Sequence, residues 1–242
     1  ILFILRKKVS LYLRSDGKKE ISIIYGKILS IFYKVAENFM VKFSNLIVVN
    51  NLITSSKKYF LVQPSQIDED WLTKQKVPES IKKIKLLYVG RIKVEKGIFS
   101  LIDILFKNYD KNSNFTLTII GQGKKPEHYS SGITFLDPIA DKFELINQYD
   151  DHKIVILPSF TEGYPQVLLE SLARKRPIIV FEEISHVAQN FKGVFVCERN
   201  RIQLEKTIEN INKNYEKILS SMNSNTIPTK KNFFKQLEEI LN

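Results

Sequence analysis

The sequence predicts an α/β protein in which a doubly wound, Rossmann-like domain follows an incomplete second domain of the same class. Between residues 86 and 220, runs of Val, Ile and Leu alternate with stretches of helical periodicity. Strands that are apolar on both faces, each followed by a helix, are typical of a parallel sheet covered on both sides. Residues 1–63 hold only about three strands, too few for a complete domain of this kind.

The composition agrees with a folded protein and excludes several classes of function. Of the 242 residues, 43% are hydrophobic, which suffices for an ordinary core. One cysteine excludes a disulfide framework and a cysteine zinc site, and the three histidines lack ligand-like spacing. We therefore expect no metal ion and no other cofactor. The net charge of +11 is spread along the chain without a basic run of five, so we expect no nucleic-acid partner.

The N-terminal region, residues 1–63, is predicted to be part of a domain. Its elements are a strand at 9–14, one continuous helix over 20–43, and short strands at 46–49 and 59–62. The chain opens on Ile rather than Met, and its apolar start precedes the first cations, which is the reverse of an export signal. We expect the sequence to begin inside a longer protein.

The remaining chain divides into a linker, a complete domain and a tail. Prolines and many charges indicate an interdomain linker at residues 64–85, and residues 221–242 are expected to form a C-terminal tail with a helix. The domain between them, residues 86–220, is predicted to alternate between strands and helices. The strands are 86–90, 115–121, 154–158, 177–181 and 194–197, and the helices are 97–109, 141–149, 165–174 and 201–219.

Two strand-to-helix turns of this domain carry residues that suit a phosphate ligand. In an open parallel sheet, ligands bind where the carboxyl ends of the strands meet the following helices. The first turn contains Gly90, Arg91 and Lys96, and two cations near a helix N-terminus favour an anion such as pyrophosphate. The second turn contains Gly121 and Gly123, where a ligand can approach the backbone closely.

A third turn, residues 158–173, combines backbone amides at a predicted helix N-terminus with two carboxylates. Pro165 is placed to begin a helix, and the amides around it lack partners within that helix. Glu162 lies on the loop and Glu170 in the helix, and ionised carboxylates accept hydrogen bonds from sugar hydroxyls. The amides expected to face a ligand are those of Gly163, Tyr164, Gln166 and Val167.

Together, the segments VGRIKVEKG (89–97) and PSFTEGYPQVLLESLA (158–173) resemble the C-terminal nucleotide-sugar domain of retaining GT-B glycosyltransferases, the group-1 (family 4) class. Glu162 and Glu170 match that family's E-x7-E motif, and Arg91 and Lys96 match its diphosphate-binding pair. Residues 63–68 are similar to its interdomain segment. The resemblance covers about residues 46–220.

The resemblance implies a donor site and a reaction. It implies that Arg91 and Lys96 stabilise the leaving diphosphate and that Glu170 holds the ribose hydroxyls. Glu162, with the amides of residues 163–167, would orient the sugar, while Gly90 and Gly121 would line the donor site. The expected donor is a nucleotide-diphosphate sugar, and the expected acceptor is a saccharide or lipid-linked saccharide. A cytoplasmic protein of polysaccharide or lipopolysaccharide assembly is expected.

Several alternatives remain open at this level. A nucleotide-sugar-binding module without transferase activity, an interaction subunit, or a GT-B epimerase would carry similar motifs. Asp68-Glu69-Asp70 spells a D-x-D metal motif, but its place in the linker favours a solvated acidic run. The helix at 25–43 has a broad apolar face with three lysines; packing in a core is favoured over contact with an anionic membrane.

Overall fold

The computed structural model describes residues 8–76, 83–107, 114–189 and 191–241. These residues form two units. The first combines the chain up to Gln66 with Thr161–Pro165 and the chain from Pro228 onward. The second comprises Ile67–Phe160 and Gln166–Ile227. The chain therefore returns to the first unit twice, once through a five-residue segment and once through its C-terminal end.

The described part of the first unit is built on three parallel strands. Buried apolar residues of the central strand, among them Ile47 and Val48, pack with Phe233 of the C-terminal helix. A hydrogen bond from the Ser65 hydroxyl to the Pro228 carbonyl, at 2.6 Å, ties the return of the chain to this unit. In sheet order the strands are β1 (Ser10–Leu13), β2 (Asn45–Val48) and β3 (Phe60–Leu61), and the C-terminal helix is α9 (Lys230–Leu241).

The predicted continuous helix over 20–43 is wrong, because the structure contains two helices, α1 (Gly17–Tyr25) and α2 (Lys27–Val41). Gly26 separates them with a φ of 88°. That conformation is strained for other residues but accessible to glycine, and it ends the hydrogen-bond ladder of α1. The Asp16 side chain caps α1 by accepting a hydrogen bond from the Lys19 amide at 3.0 Å.

The apolar face of α2 is exposed within the described residues, so the favoured interpretation of core packing is not what they show. Ile28, Phe32 and Val35 are 74%, 69% and 64% exposed. The buried residues of α2 are instead Ser30 and Glu37.

In its described residues, the second unit contains six parallel strands, which confirms the predicted doubly wound α/β class. From one edge to the other, the strand order is β6-β5-β4-β7-β8-β9. This is the order of a Rossmann fold, in which the chain runs outward from the centre in one direction and then in the other. The strands are β4 (Ile84–Val89), β5 (Phe115–Ile120), β6 (Ile133–Leu136), β7 (Ile154–Leu157), β8 (Ile178–Phe181) and β9 (Val194–Cys197).

The helices of the second unit depart from prediction in three places. The predicted linker contains α3, the single helix over 201–219 is divided at Asn214, and the helix predicted to reach residue 109 ends at Phe106. Residues 108 and 109 lie outside the described part of the chain. The helices are α3 (Glu69–Leu72), α4 (Ile98–Phe106), α5 (Lys142–Asp151), α6 (Gln166–Ala173), α7 (Arg201–Lys213) and α8 (Tyr215–Met222).

A buried cluster of three charges joins α5 to the segment that follows α6. Asp150 accepts from Arg174 Nη2 at 2.6 Å and from Arg176 Nη2 at 3.3 Å, and both arginines are 1% exposed. Arg174 Nη1 also donates to the carbonyl oxygens of Trp71 and Thr73 at 3.0 and 2.7 Å. Within the second unit, these bonds fasten the chain around α3 to the segment that follows α6.

We expect Arg174→Met to lower the free energy of unfolding by roughly 3–5 kcal/mol, because it leaves the Asp150 carboxylate short of a partner in a buried site. Urea denaturation followed by circular dichroism measures the change. Arg201→Met is the matched control: its ion pair with Glu205 is partly exposed on α7, and we expect a loss below about 1 kcal/mol. Equal losses in the two variants would contradict the role given to the buried cluster.

Candidate functional site

The carboxyl ends of β4 and β7 mark the place where this fold binds ligands. These two strands are neighbours, and their following connections lead to opposite faces of the sheet. In a doubly wound sheet, the reversal of strand order opens a crevice just beyond the carboxyl ends. The turns that the sequence analysis selected follow β4, β5 and β7, so all three begin at this edge.

The turn after β4 presents the two predicted cations. Gly90 and Arg91 follow the strand directly, and Lys96 ends a short 3-10 helix, Val94–Lys96. The Arg91 side chain is 60% exposed, and its Nη2 lies 3.9 Å from Oε1 of the largely buried Glu95. Because α4 begins just after Lys96, its first amides point toward this turn. An anion bound here would meet both cations and the positive end of the helix dipole.

The turn after β5 packs directly on the turn after β4. The Ile92 amide donates to the Gln122 carbonyl at 2.8 Å, and the Gly90 amide donates to the Ile120 carbonyl at 2.9 Å. The hydroxyl of the buried Tyr88 donates to the Arg91 carbonyl at 2.6 Å. The structure therefore brings Gly90, Arg91 and Gly121 together.

The turn after β4 also touches the end of β7, through Gly97. A Cβ atom on Gly97 would lie 1.9 Å from the Pro158 carbonyl oxygen, and its φ of 67° is left-handed. The Phe160 amide donates to the Glu95 carbonyl at 3.0 Å. Only glycine allows this close approach, which holds Arg91 and Lys96 beside the β7 turn.

Glu170 lies in α6 and has a buried partner that sequence reasoning missed. The hydroxyl of Tyr149, on α5, donates to Glu170 Oε2 at 2.6 Å. Burial raises the pKa of Glu170, and the hydrogen bond from Tyr149 opposes this rise. The pKa of Tyr149 is well above its ordinary value because the residue is fully buried and faces the Glu170 carboxylate. Gln166 and Val167 form the first turn of α6, as predicted for amides at a helix N-terminus.

Glu162, Gly163 and Tyr164 lie in the segment that joins the first unit. The ring of Tyr164 packs against the core of that unit, and burial raises the pKa of its hydroxyl to about 12. Gly163 is buried, and Glu162 is partly exposed. The roles expected for these three residues remain predictions.

Arg199 is a further residue at this edge that the sequence analysis missed. It follows β9, its Nη2 donates to the Pro158 carbonyl at 2.9 Å, and its Nε pairs with Glu183 at 2.7 Å. Its guanidinium lies 4.2 Å from the centroids of both the Phe160 and Phe181 rings. Its position just past the carboxyl end of a predicted strand could have marked Arg199 as a candidate site residue. Its hydrogen-bond and ion-pair partners could not be predicted from the spacing of residues in the sequence.

The D-x-D sequence in the predicted linker has a cationic partner. Lys142 Nζ lies 2.9 Å from Asp68 Oδ2 and also contacts the Asp70 carboxylate. Among the described residues, no group of three or more His, Cys, Asp or Glu side chains could hold a metal ion. No helix of that part of the chain is long and apolar enough to cross a membrane.

The model of the family described as glycosyl transferases group 1 matches residues 83–214. The chain belongs to this family. The prediction made from its two motifs is thereby confirmed at family level. A protein of Haemophilus influenzae described as an uncharacterized glycosyltransferase is 29% identical over 128 residues, which cover 49% of this chain and 36% of that protein. The matched region thus spans about a third of this curated relative.

Solved structures with similar folds support the GT-B architecture. HepE from Anabaena, in complex with UDP, superposes with a TM-score of 0.75 at 16% identity, over 99% of this chain and 73% of its own. WaaG, a glycosyltransferase involved in lipopolysaccharide biosynthesis, gives 0.69 at 15% identity, over 96% and 73%. TarM gives 0.66 at 15% identity, over 98% and 51%. At these identities the likeness concerns the fold.

We expect Gly97→Ala to lower the melting temperature of this protein, because the added methyl group would collide with the Pro158 carbonyl. The backbone strain alone costs roughly 1–3 kcal/mol, and the collision adds to it. Gly26→Ala is the matched control, since Gly26 also has a positive φ, of 88°, but nothing lies within 4 Å of its added Cβ. Differential scanning calorimetry of both variants separates strain from collision. Equal shifts would show that the contact with Pro158 is unimportant.

Proposed function

We propose that this group 1 glycosyltransferase moves a sugar from a nucleotide-diphosphate sugar to a saccharide or lipid-linked saccharide, with retention of anomeric configuration. The observation that carries the proposal is the turn after β4, where Arg91 and Lys96 stand beside the start of α4 at the switch point of the sheet. We further propose that the enzyme works on the cytoplasmic side of the membrane, in assembly of cell-surface polysaccharide or lipopolysaccharide.

The reaction breaks the bond between the anomeric carbon and the diphosphate oxygen. Positive charge develops on the sugar ring and negative charge on the departing diphosphate. Arg91 and Lys96 stabilise that negative charge with fixed cations, which is the electrostatic role that a metal ion takes in other enzymes. The acceptor hydroxyl attacks on the face that the diphosphate leaves, and the leaving phosphate oxygen takes its proton. Retention follows because the new bond replaces the old one on the same face.

The two glutamates divide the donor between them. Glu170 accepts hydrogen bonds from the ribose hydroxyls, and its carboxylate is held by Tyr149. Glu162 orients the transferred sugar, together with the amides of Gly163, Tyr164, Gln166 and Val167. HepE has been solved with UDP and with UDP-glucose, which makes UDP the first nucleotide to test here.

As a second proposal, the exposed apolar face of α2 contacts an anionic lipid surface. Exposed side chains on this face include Ile28, Phe32 and Val35. Lys27 and Lys42 stand at the two ends of the helix and can interact with lipid phosphates. A helix lying in the interface plane needs no membrane-spanning segment.

We expect Glu170→Ala to weaken binding of free UDP by roughly ten- to a hundredfold, since a hydrogen bond to a charged group contributes about 1.5–3 kcal/mol. Glu162→Ala should leave UDP affinity nearly unchanged and lower the rate of glycosyl transfer by a similar factor. Isothermal titration calorimetry of the variants measures UDP affinity. Glycosyl-transfer assays that compare the variants with the native enzyme measure the rate. Glu209→Ala, an exposed carboxylate on α7, is the control.

Equal losses of UDP affinity in Glu170→Ala and Glu162→Ala would overturn the division of roles. Unchanged affinity in both, or no binding of UDP, GDP or ADP by the parent protein, would overturn the donor site. Binding of the nucleotide sugar without transfer would favour a non-catalytic module, and conversion of the sugar to an isomer would favour an epimerase.

We expect the native protein to sediment with phosphatidylglycerol vesicles and much less with phosphatidylcholine vesicles. Phe32→Ser should weaken this binding by about tenfold or more, because burying one large apolar side chain contributes about 1.5–3 kcal/mol. Ile202→Ser, which changes an apolar residue that is 77% exposed on α7, should have no effect. No sedimentation with either vesicle would overturn the proposed lipid contact.

A further inference from the structure

We propose that Tyr149 is a positioning residue for the donor site. Its hydroxyl holds the Glu170 carboxylate in the orientation that meets the ribose hydroxyls. The proposal rests on the role given above to Glu170. Tyr149 is fully buried, and its hydroxyl lies 2.6 Å from Glu170 Oε2. It acts through Glu170 and has no contact of its own with the donor.

The bond to Tyr149 fixes one oxygen of the carboxylate and leaves acceptor capacity for a ligand. An ionised carboxylate has two oxygens with about four lone-pair sites, and Tyr149 uses one of them. Glutamate has three rotatable bonds, so a free Glu170 on α6 would sample many orientations. One strong hydrogen bond from a rigid donor removes most of that freedom before the nucleotide arrives.

Tyr149 is itself held at its ring and at its backbone. Its ring meets the edge of Trp71, on α3, with centroids 5.6 Å apart and planes at 74°. Its carbonyl oxygen accepts from Arg176 Nε at 2.8 Å. Arg174 anchors the Trp71 carbonyl at 3.0 Å, so the ring cannot turn away without disrupting α3. The buried charge cluster and the segment around α3 thus fix the hydroxyl that holds Glu170.

The hydrogen bond also favours the ionised form of Glu170. Burial favours the neutral form and raises the pKa of Glu170, whereas the bond from Tyr149 stabilises the anion. Asp150, the next residue along the chain from Tyr149, pairs with both Arg174 and Arg176. Without the Tyr149 hydroxyl, the pKa of Glu170 rises further. Protonation would then occur closer to neutral pH and would remove an acceptor from the ribose.

Tyr149→Phe tests the inference, because it deletes only the hydroxyl from a packed ring. UDP, GDP and ADP are first titrated into the parent protein, and the tightest binder serves as the probe. We expect the variant to bind this nucleotide about tenfold more weakly near neutral pH. The loss should grow as the pH is lowered from neutrality, since Glu170 of the variant is then protonated at a higher pH than Glu170 of the parent.

A second measurement separates positioning from general structural damage. The 2′,3′-dideoxy form of the same nucleotide lacks the hydroxyls that Glu170 accepts from. The parent should discriminate against it by about tenfold or more, and Tyr149→Phe should lose most of this discrimination. Tyr215→Phe is the matched control: it also removes a buried hydroxyl, which donates to the Lys153 carbonyl at 3.2 Å and accepts from Arg176 Nη1 at 3.5 Å. It thus touches the same charge cluster without removing the bond to Glu170. Its nucleotide affinity, pH dependence and discrimination should equal those of the parent.

The outcomes separate this inference from the proposed function. If Glu170→Ala weakens nucleotide binding but Tyr149→Phe alters neither affinity, pH dependence nor discrimination, the positioning role is wrong and the donor site stands. If Glu170→Ala has no effect on nucleotide binding, the proposed role of Glu170 is wrong, and the inference about Tyr149 falls with it. If Tyr215→Phe shows the same losses as Tyr149→Phe, the effect is a general loss of packing and the inference is overturned.

Discussion

The second unit depends on one buried carboxylate, Asp150, which is shared by Arg174 and Arg176. Removing three charges from water costs several kcal/mol for each ion, so the cluster can exist only if its remaining hydrogen-bonding groups are satisfied. The backbone supplies these partners, including the carbonyls of Trp71 and Tyr149. Apolar side chains could fill the same volume at similar stability, but they could not bind these carbonyls. The cluster therefore fixes where the chain around α3 lies, in addition to filling space.

This arrangement links stability to the donor site by direct contacts. Arg174 holds the backbone of α3, α3 places Trp71 against Tyr149, and Tyr149 holds Glu170. A change in the buried cluster would therefore reach the carboxylate through packed groups without any contact with the ligand. At the other side of the switch point, Gly97 performs a comparable task by letting the β4 turn lie against the end of β7. On both sides, the proposed site relies on residues that have no proposed contact with the donor.

The sequence predicted the sheet well, because parallel strands covered on both faces are nearly continuous runs of apolar residues. It missed β6 (Ile133–Leu136), whose apolar run is interrupted by the exposed Thr134. The interruptions at Gly26 and Asn214 were missed because apolar periodicity averages over several turns and is insensitive to one residue. Asn214 ends α7 by donating from its side chain to the Asn210 carbonyl at 3.0 Å, a local competition that periodicity does not register.

The candidate site shows the same division between local and distant information. Arg91 and Lys96 could be selected because strand, turn and helix are consecutive in the sequence, which alone fixes the edge of the sheet where they lie. Tyr149 and Arg199 could not, because their partners come from elements more than fifteen residues away. Net charge was equally uninformative. The structure divides the basic residues into those neutralised by close carboxylates, such as Arg199, and those that remain exposed. Arg91 combines both features, because its side chain is 60% exposed and lies 3.9 Å from Glu95. The proposed attraction for a diphosphate therefore arises from the turn after β4 and not from the excess charge of the whole chain.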